Sequence, residues 1–413
     1  MSFSKIKLLK KNYPKGNDNT IFGLLSQGGN VVYDEMNVVC KYIFILDTSN
    51  SMNNRDGGVK SRKELLIDSM VKLVNSAAMN DKVMSVYCFS DSSELRLPDT
   101  VVNESTKHGI VETIKDLKKT IGRKTFLYKP LEDVYDSVYD DGECFYHVVL
   151  FTDGDDFEPY QTLEILEKLR EDKNVTVSFV AFGDEYQMDM LNSFTNAGRG
   201  SFYHLSDIKS FYSEIRNDIK IASKRKIAKA VLKYDNQNGD FTLDSVFKVG
   251  EGGISRLDAG TGIGALDGIS IGGLSESDQI FFKVSQSAID RPGDYCAGVF
   301  EVRIGKQKIK SLDVMISVVE EAVMELPDPE ISDMIRRIRL FDISLEVEKL
   351  QKEGKPKEAE AKLKSAMPIA QQLGIGDDVT VILKSKDKNG NLNLDMTRKL
   401  VADTKTKGLR KNK

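Results

Sequence analysis

Histidine is scarce in this 413-residue chain, with only His108, His147 and His204, each isolated. That excludes a His-rich metal centre. The four cysteines, Cys40, Cys88, Cys144 and Cys296, lie too far apart for a zinc knuckle or a C-x-x-C redox pair. They are also too few to staple a secreted scaffold, so they read as free thiols in a reducing compartment. No apolar run approaches the roughly 20 residues of a membrane span. The basic start is followed by polar residues 12–20, where a signal peptide would need its apolar stretch. The expectation is a soluble, cytoplasmic protein. Net charge is small, −4 from 59 basic and 63 acidic residues. Ten of the basic residues sit in residues 1–16 and 404–413, which hold no acid. The remaining body is therefore acidic, which argues against nucleic-acid binding. The basic ends read as solvated tails. Nucleotide motifs are missing too. The run from Gly260 to Gly268 fails G-x-G-x-x-G in both registers, with Ala265 or Asp267 in the last place, and no P-loop occurs. No Ser-His-Asp set or paired catalytic carboxylates stand out, so no enzyme is expected.

What is present divides into successive patterns. The length predicts two or three domains, and 40% hydrophobic residues suffice for real cores. Residues 38–46 and 147–151 are nearly continuous apolar runs, as in central strands covered on both faces. Further strands are predicted at 83–89, 175–182 and 201–205. They alternate with amphipathic helices at 63–79, 109–119, 130–139, 162–170, 188–196 and 211–222. That alternation predicts a doubly wound, mainly parallel α/β sheet over residues 38–223. Short β-rich runs with a glycine-rich interval follow over 224–325 and predict a β-sandwich. Residues 1–37 form an N-terminal segment, with a short strand at Asn30–Tyr33 that can join the β-domain. Over 326–413, Ile331, Met334, Ile335, Ile338, Phe341 and Leu345 repeat at helical spacing. Ala359, Leu363, Ala366, Ala370 and Leu373 do the same beyond Gly354 and Pro356. This predicts a helical hairpin with a basic tail, its apolar face packed on the β-domain.

The chemistry concentrates after the two buried strands. Asp47-Thr48-Ser49-Asn50-Ser51 places one carboxylate and two hydroxyls at alternate positions of a loop leaving the first. Thr152-Asp153-Gly154-Asp155-Asp156 delivers another carboxylate after the second. In an open parallel sheet such strand ends form the ligand site. An all-oxygen set suits Mg²⁺ or Mn²⁺.

Asp47-x-Ser49-x-Ser51 resembles the metal-ion-dependent adhesion site (MIDAS) of von Willebrand factor A domains. In that family a middle loop adds a threonine, which falls on Thr125 of Gly122-Arg123-Lys124-Thr125. An aspartate after a later strand falls on Asp153 of Thr152-Asp153-Gly154. The resemblance covers residues 38–223. It departs at Asn50, where glycine is usual, and at Arg123-Lys124, which add positive charge beside the site. It implies a metal held by Asp47, Ser49, Ser51, Thr125 and Asp153. The ion would be Mg²⁺, or Mn²⁺ or Ca²⁺. The serines would bind directly, the aspartates largely through water, and Thr125 either way. A mostly neutral ligand set leaves the ion under-neutralised and attractive to a Glu or Asp carboxylate of a partner protein. By analogy the chain would be an intracellular scaffold or assembly component, with an AAA+ ATPase as one such partner. Asp155 and Asp156 read as solvated, and Asp184 as a helix cap. The rivals are a haloacid-dehalogenase-type phosphoryl transferase and an A-type scaffold that uses no metal. The first needs an acid where Ser49 stands. The second conflicts with an intact set of five residues.

Overall fold

The computed structural model describes residues 3–27, 39–55, 59–119, 122–139, 144–153, 156–182, 187–205, 208–236, 239–250, 253–257, 268–275, 277–304, 307–386 and 392–406. The Asn30–Tyr33 segment, most of the Gly260–Gly268 run and the chain end from 407 fall outside them.

Three short strands open the chain: β1 (Phe3–Leu8), β2 (Asn12–Pro14) and β3 (Asn19–Gln27). The α/β unit then runs β4 (Val39–Asp47), α1 (Arg62–Val74), β5 (Val83–Phe89), β6 (Ser93–Val101), α2 (Lys107–Asp116) and α3 (Tyr128–Ser137). It continues through β7 (Cys144–Thr152), α4 (Pro159–Asp172), β8 (Val175–Phe182), α5 (Met188–Gly198), β9 (Arg199–Leu205) and α6 (Ile208–Ala222). The sheet order is β6-β5-β4-β7-β8-β9. All neighbours are parallel except the β5–β6 pair. The apolar runs at β4 and β7 lie side by side at its centre, in register from Val39–Cys144 to Leu46–Phe151. Tyr42, Phe44, Val149 and Phe151 pack with α1, α2 and α6 on one face. Ile43, Ile45, Val148 and Leu150 pack with α3, α4 and α5 on the other. The edge strand β6 escapes a reading for apolar alternation. It carries Glu94, Arg96, Pro98 and Asp99, and an edge strand tolerates a proline that a central one does not.

Seven further strands follow: β10 (Arg225–Asp235), β11 (Phe241–Gly250), β12 (Gly253–Arg256), β13 (Ile269–Ser275), β14 (Gln279–Gln286), β15 (Gly293–Ile304) and β16 (Gln307–Val319). With the N-terminal strands they make two five-stranded sheets, β1-β3-β14-β11-β12 and β13-β10-β15-β16-β2. One core lies between them, built on Ile21, Leu25, Leu232, Val246, Phe282, Phe300 and Val314. Arg199 fastens this sandwich to the α/β unit. Its guanidinium donates to the carbonyls of Arg256 (2.9 Å) and Leu257 (2.6 Å).

The C-terminal helices number more than a hairpin. α7 (Pro329–Lys352) and α8 (Pro356–Ser365) are its two arms. α9 (Met367–Gln372), α10 (Gly376–Lys384) and α11 (Leu394–Thr406) follow. Pro368 divides α8 from α9, because it lacks the N–H that would continue the helix. α7 is about 36 Å long at 1.5 Å per residue and serves three cores. Ile331 and Met334 meet Leu24 and Phe281 of the sandwich. Phe341 and Leu345 pack against the α/β unit. Leu340, Ile343 and Val347 belong to the helices' own core. The expected face on the β-domain is thus only the first part of a longer strut. No helix among the described residues is long and apolar enough to cross a membrane.

Candidate metal centre

The strand connections leave β4 and β7 in opposite directions, so the sheet's switch point lies between these two strands. β4 ends at Asp47 and β7 at Thr152, which puts Asp47 and Asp153 at the same edge. Both are fully buried. Asp47 Oδ1 accepts from the backbone N–H of Ser49 (2.8 Å), and Oδ2 from the Thr152 hydroxyl (2.9 Å). The Ser49 and Ser51 hydroxyl oxygens are 3.0 Å apart. The Ser51 hydroxyl donates to Asp153 Oδ1 at 2.7 Å. A single 3-10 turn, Asn50–Asn53, folds the loop back and buries Met52 beneath it.

Thr125 enters by another route. Ser49 and Gly122 form a parallel bridge, with the Gly122 N–H donating to the Thr48 carbonyl (3.2 Å). A Cβ at Gly122 would stand 1.8 Å from the Ser90 hydroxyl oxygen, so only glycine lets the middle loop come this close. Thr125 is buried, and its carbonyl accepts from the Phe157 N–H (3.1 Å). Among the described residues its side chain makes no hydrogen bond to the other four. Gly154, Asp155 and Asp184 lie outside the described residues. Asp156, expected to be solvated, is buried instead: it accepts from the N–H groups of Leu127 (3.2 Å) and Glu158 (3.3 Å) and from the Thr162 hydroxyl. Those bonds tie the loop to the start of α4.

Two cations escaped the sequence reading. Arg62, about 5% exposed, donates from Nη1 to Asp153 Oδ2 at 2.7 Å. Lys63 beside it is equally buried, and Asp47's charge acts on it. Burial pulls the Lys63 ammonium below its usual pKa, and Asp47 opposes that shift. A capping box, in which Ser61 and Glu64 exchange hydrogen bonds, fixes both at the start of α1. A signal was available in the sequence. Cations at a helix N-terminus oppose the helix dipole, so Arg62-Lys63 at the first turn calls for nearby anions.

Desolvation pushes the Asp47 carboxyl up from 3.8 to about 7, and the Asp153 charge adds to this. Hydrogen bonds from Ser49 and Thr152 oppose it. The folded state thus holds a proton that the unfolded chain has already released. Stability without metal should fall as pH rises from about 4 to about 7 and stay low above that. Asp47→Asn should flatten this slope in EDTA melts compared at pH 5 and pH 8. An unchanged slope would place the titration elsewhere.

The donor set is hard oxygen, two hydroxyls and two carboxylates within hydrogen-bond contact. Adjacent ligands of an octahedral ion at 2.0–2.1 Å sit about 3 Å apart, the spacing of the two serine oxygens. Among the described residues no three His, Cys, Asp or Glu gather to hold a metal, so this set depends on its hydroxyls.

A six-stranded doubly wound sheet with helices on both faces, and oxygens at its switch point, defines the class: residues 43–218 match, and form, a von Willebrand factor type A domain. Such domains are generally protein-interaction modules. The wider architecture is shared as well. A structure described as von Willebrand factor type A from Catenulispora acidiphila superposes with a TM-score of 0.77 at 14% identity, covering 97% of this chain and 96% of that one. The ArnB paralog VWA2 from Sulfolobus acidocaldarius matches at a TM-score of 0.56 and 14% identity over 98% of both chains. At these identities the likeness is one of fold. No curated protein matches the chain in sequence.

Proposed function

We propose that this chain is a metal-dependent protein-interaction module. Mg²⁺ would be held by Asp47, Ser49, Ser51, Thr125 and Asp153 and would take a Glu or Asp carboxylate from a partner. The observation that carries this reading is the convergence of the Ser49, Ser51 and Asp153 oxygens, 3.0 and 2.7 Å apart, at the switch point. When bound, the ion supplies a positive centre for an incoming carboxylate. The chain's own residues do the rest. Asp47 fixes the loop through the Ser49 N–H, and Asp153 orients the Ser51 hydroxyl. The rim fits the same partner. Arg123 and Lys124 are exposed next to Thr125. Lys124 Nζ stands 5.7 Å from the Phe126 ring centre and 5.4 Å from that of Phe157, and Lys129 stands 4.5 Å from Phe126. Phe157 is 57% exposed. A basic, aromatic rim complements an acidic partner surface and speeds its encounter.

By analogy with other proteins that carry such domains, the proposed role is that of a cytoplasmic scaffold or assembly component. AAA+ ATPases are one class of partner to include as bait. Pull-downs in Mg²⁺, in EDTA and with Asp47→Ala should retain a partner only in the first. Equal retention in all three would rule out the metal bridge. Mg²⁺ at 100 times its Kd should stabilise the protein by about 2.7 kcal/mol in thermal melts, and Asp47→Ala should abolish that gain.

A further inference from the structure

Arg62 stands where the metal reading needs negative charge. Its guanidinium donates to Oδ2 of Asp153, while Oδ1 accepts from the Ser51 hydroxyl. Both partners of this pair are almost fully removed from water, 6% and 0% exposed at their side chains. Solvent therefore screens it little. The position is fixed rather than opportunistic. Ser61 caps α1, and the Arg62 N–H donates to the Asn54 carbonyl (2.9 Å), which ties the helix start to the end of the serine loop. Lys63 brings a second positive charge to Asp47. Among the described residues the two site carboxylates thus already face two cations of the chain, which offset part of the negative charge that a divalent ion entering the site would meet.

We infer that Arg62 sets the metal affinity. By neutralising Asp153 it keeps the ion weakly held by the protein alone and tightly held only when a carboxylate arrives with it. The inference rests on the metal reading above. Arg62 is a positioning residue, since it acts on the ion through Asp153. Its consequence is reciprocal linkage, in which metal and carboxylate strengthen each other's binding by the same factor. A module of this kind would release its ion together with its partner.

The test uses Mn²⁺ as probe, counted as free ion by electron paramagnetic resonance on the full chain. Arg62→Gln removes the charge but keeps an N–H donor, and Arg62→Lys keeps the charge. Arg62→Gln should lower the Mn²⁺ Kd by about tenfold or more, since one unit charge a few ångströms from a divalent ion is worth about that much even with the screening of bulk water. Arg62→Lys keeps the positive charge, so its Mn²⁺ Kd should stay closer to that of the native chain than the Kd of Arg62→Gln does. Acetate should tighten Mn²⁺ binding to the native chain and much less to Arg62→Gln. An equal or weaker affinity in Arg62→Gln overturns the inference and leaves the metal site standing. Should that variant not fold, the acetate titration of the native chain decides, and Mn²⁺ binding indifferent to acetate overturns it. Failure of all three proteins to bind Mn²⁺ overturns the metal reading and, with it, this inference.

Discussion

Asp153→Ala should cost about 3–5 kcal/mol of stability in the absence of metal, and should also abolish the stabilisation by Mg²⁺. The first effect arises because the substitution removes the carboxylate facing Arg62 while the guanidinium stays buried. Breaking one side of a buried ion pair falls in that range, because the survivor keeps its desolvation cost without its attraction. Arg62 cannot swing out to water cheaply, since it begins a helix capped by Ser61 and packed through Leu66 and Met70. The double variant Asp153→Ala/Arg62→Ala should recover part of the loss, and the cycle of the two singles and the double measures the coupling. Denaturant unfolding in EDTA, followed on the α/β unit, checks it. A single-variant cost below about 1 kcal/mol, as at exposed pairs, would mean that the pair is effectively solvated. The two effects are separable, because Asp153→Asn keeps the side-chain shape and should lose the metal response at a smaller stability cost.

Glu348→Ala should have a comparable effect in the C-terminal helices. Arg398 of α11 is fully buried and donates from Nε to Glu348 of α7 at 3.2 Å. Glu348, about 1% exposed, also meets Lys352 at 3.5 Å. Removing the carboxylate takes it from two cations at once, one of them far from water, and should cost about 3–5 kcal/mol. The apolar pair Glu348→Leu/Arg398→Met should cost much less, because no charge is left in the core. The ion pair sits where α7 and α11 meet, beside contacts that α7 makes with the α/β unit through Phe341 and Leu345. Glu348→Ala should therefore also raise protease sensitivity across α11. An intact α11 with a stability loss near zero would refute the buried-pair account. The transition should be followed with a probe placed in these helices, since a chain of several cores need not unfold in one step.

Much of the α/β unit was legible because its signals are local. β4 and β7 are runs of consecutive apolar residues, and the oxygen-bearing residues follow each within six positions. Helix faces such as Leu66, Met70 and Leu73 announce themselves by spacing alone. Other parts carry no such mark. β6 looks polar because it is an edge, and α8 and α9 share one apolar rhythm across the break at Pro368. Asp156 reads as one acid among several in a loop, yet it is buried, bonded to Thr162 six residues on and to Leu127 from a loop 29 residues earlier.

The sequence by itself determined the alternation of strands and helices, the two central strands and the positions of Asp47, Ser49, Ser51 and Asp153 at their ends. These depend on residue order and on periods of two and 3.6, which neighbours in the chain enforce. Only the tertiary structure decided that β4 and β7 lie side by side, so that loops about 100 residues apart share one site. It also decided that Arg62 enters that site, that Arg199 clasps the sandwich and that α7 serves three cores. Charge pairing and burial act through space. A sequence shows that a cation opens a helix, but the fold decides which carboxylate it meets and how much water lies between them.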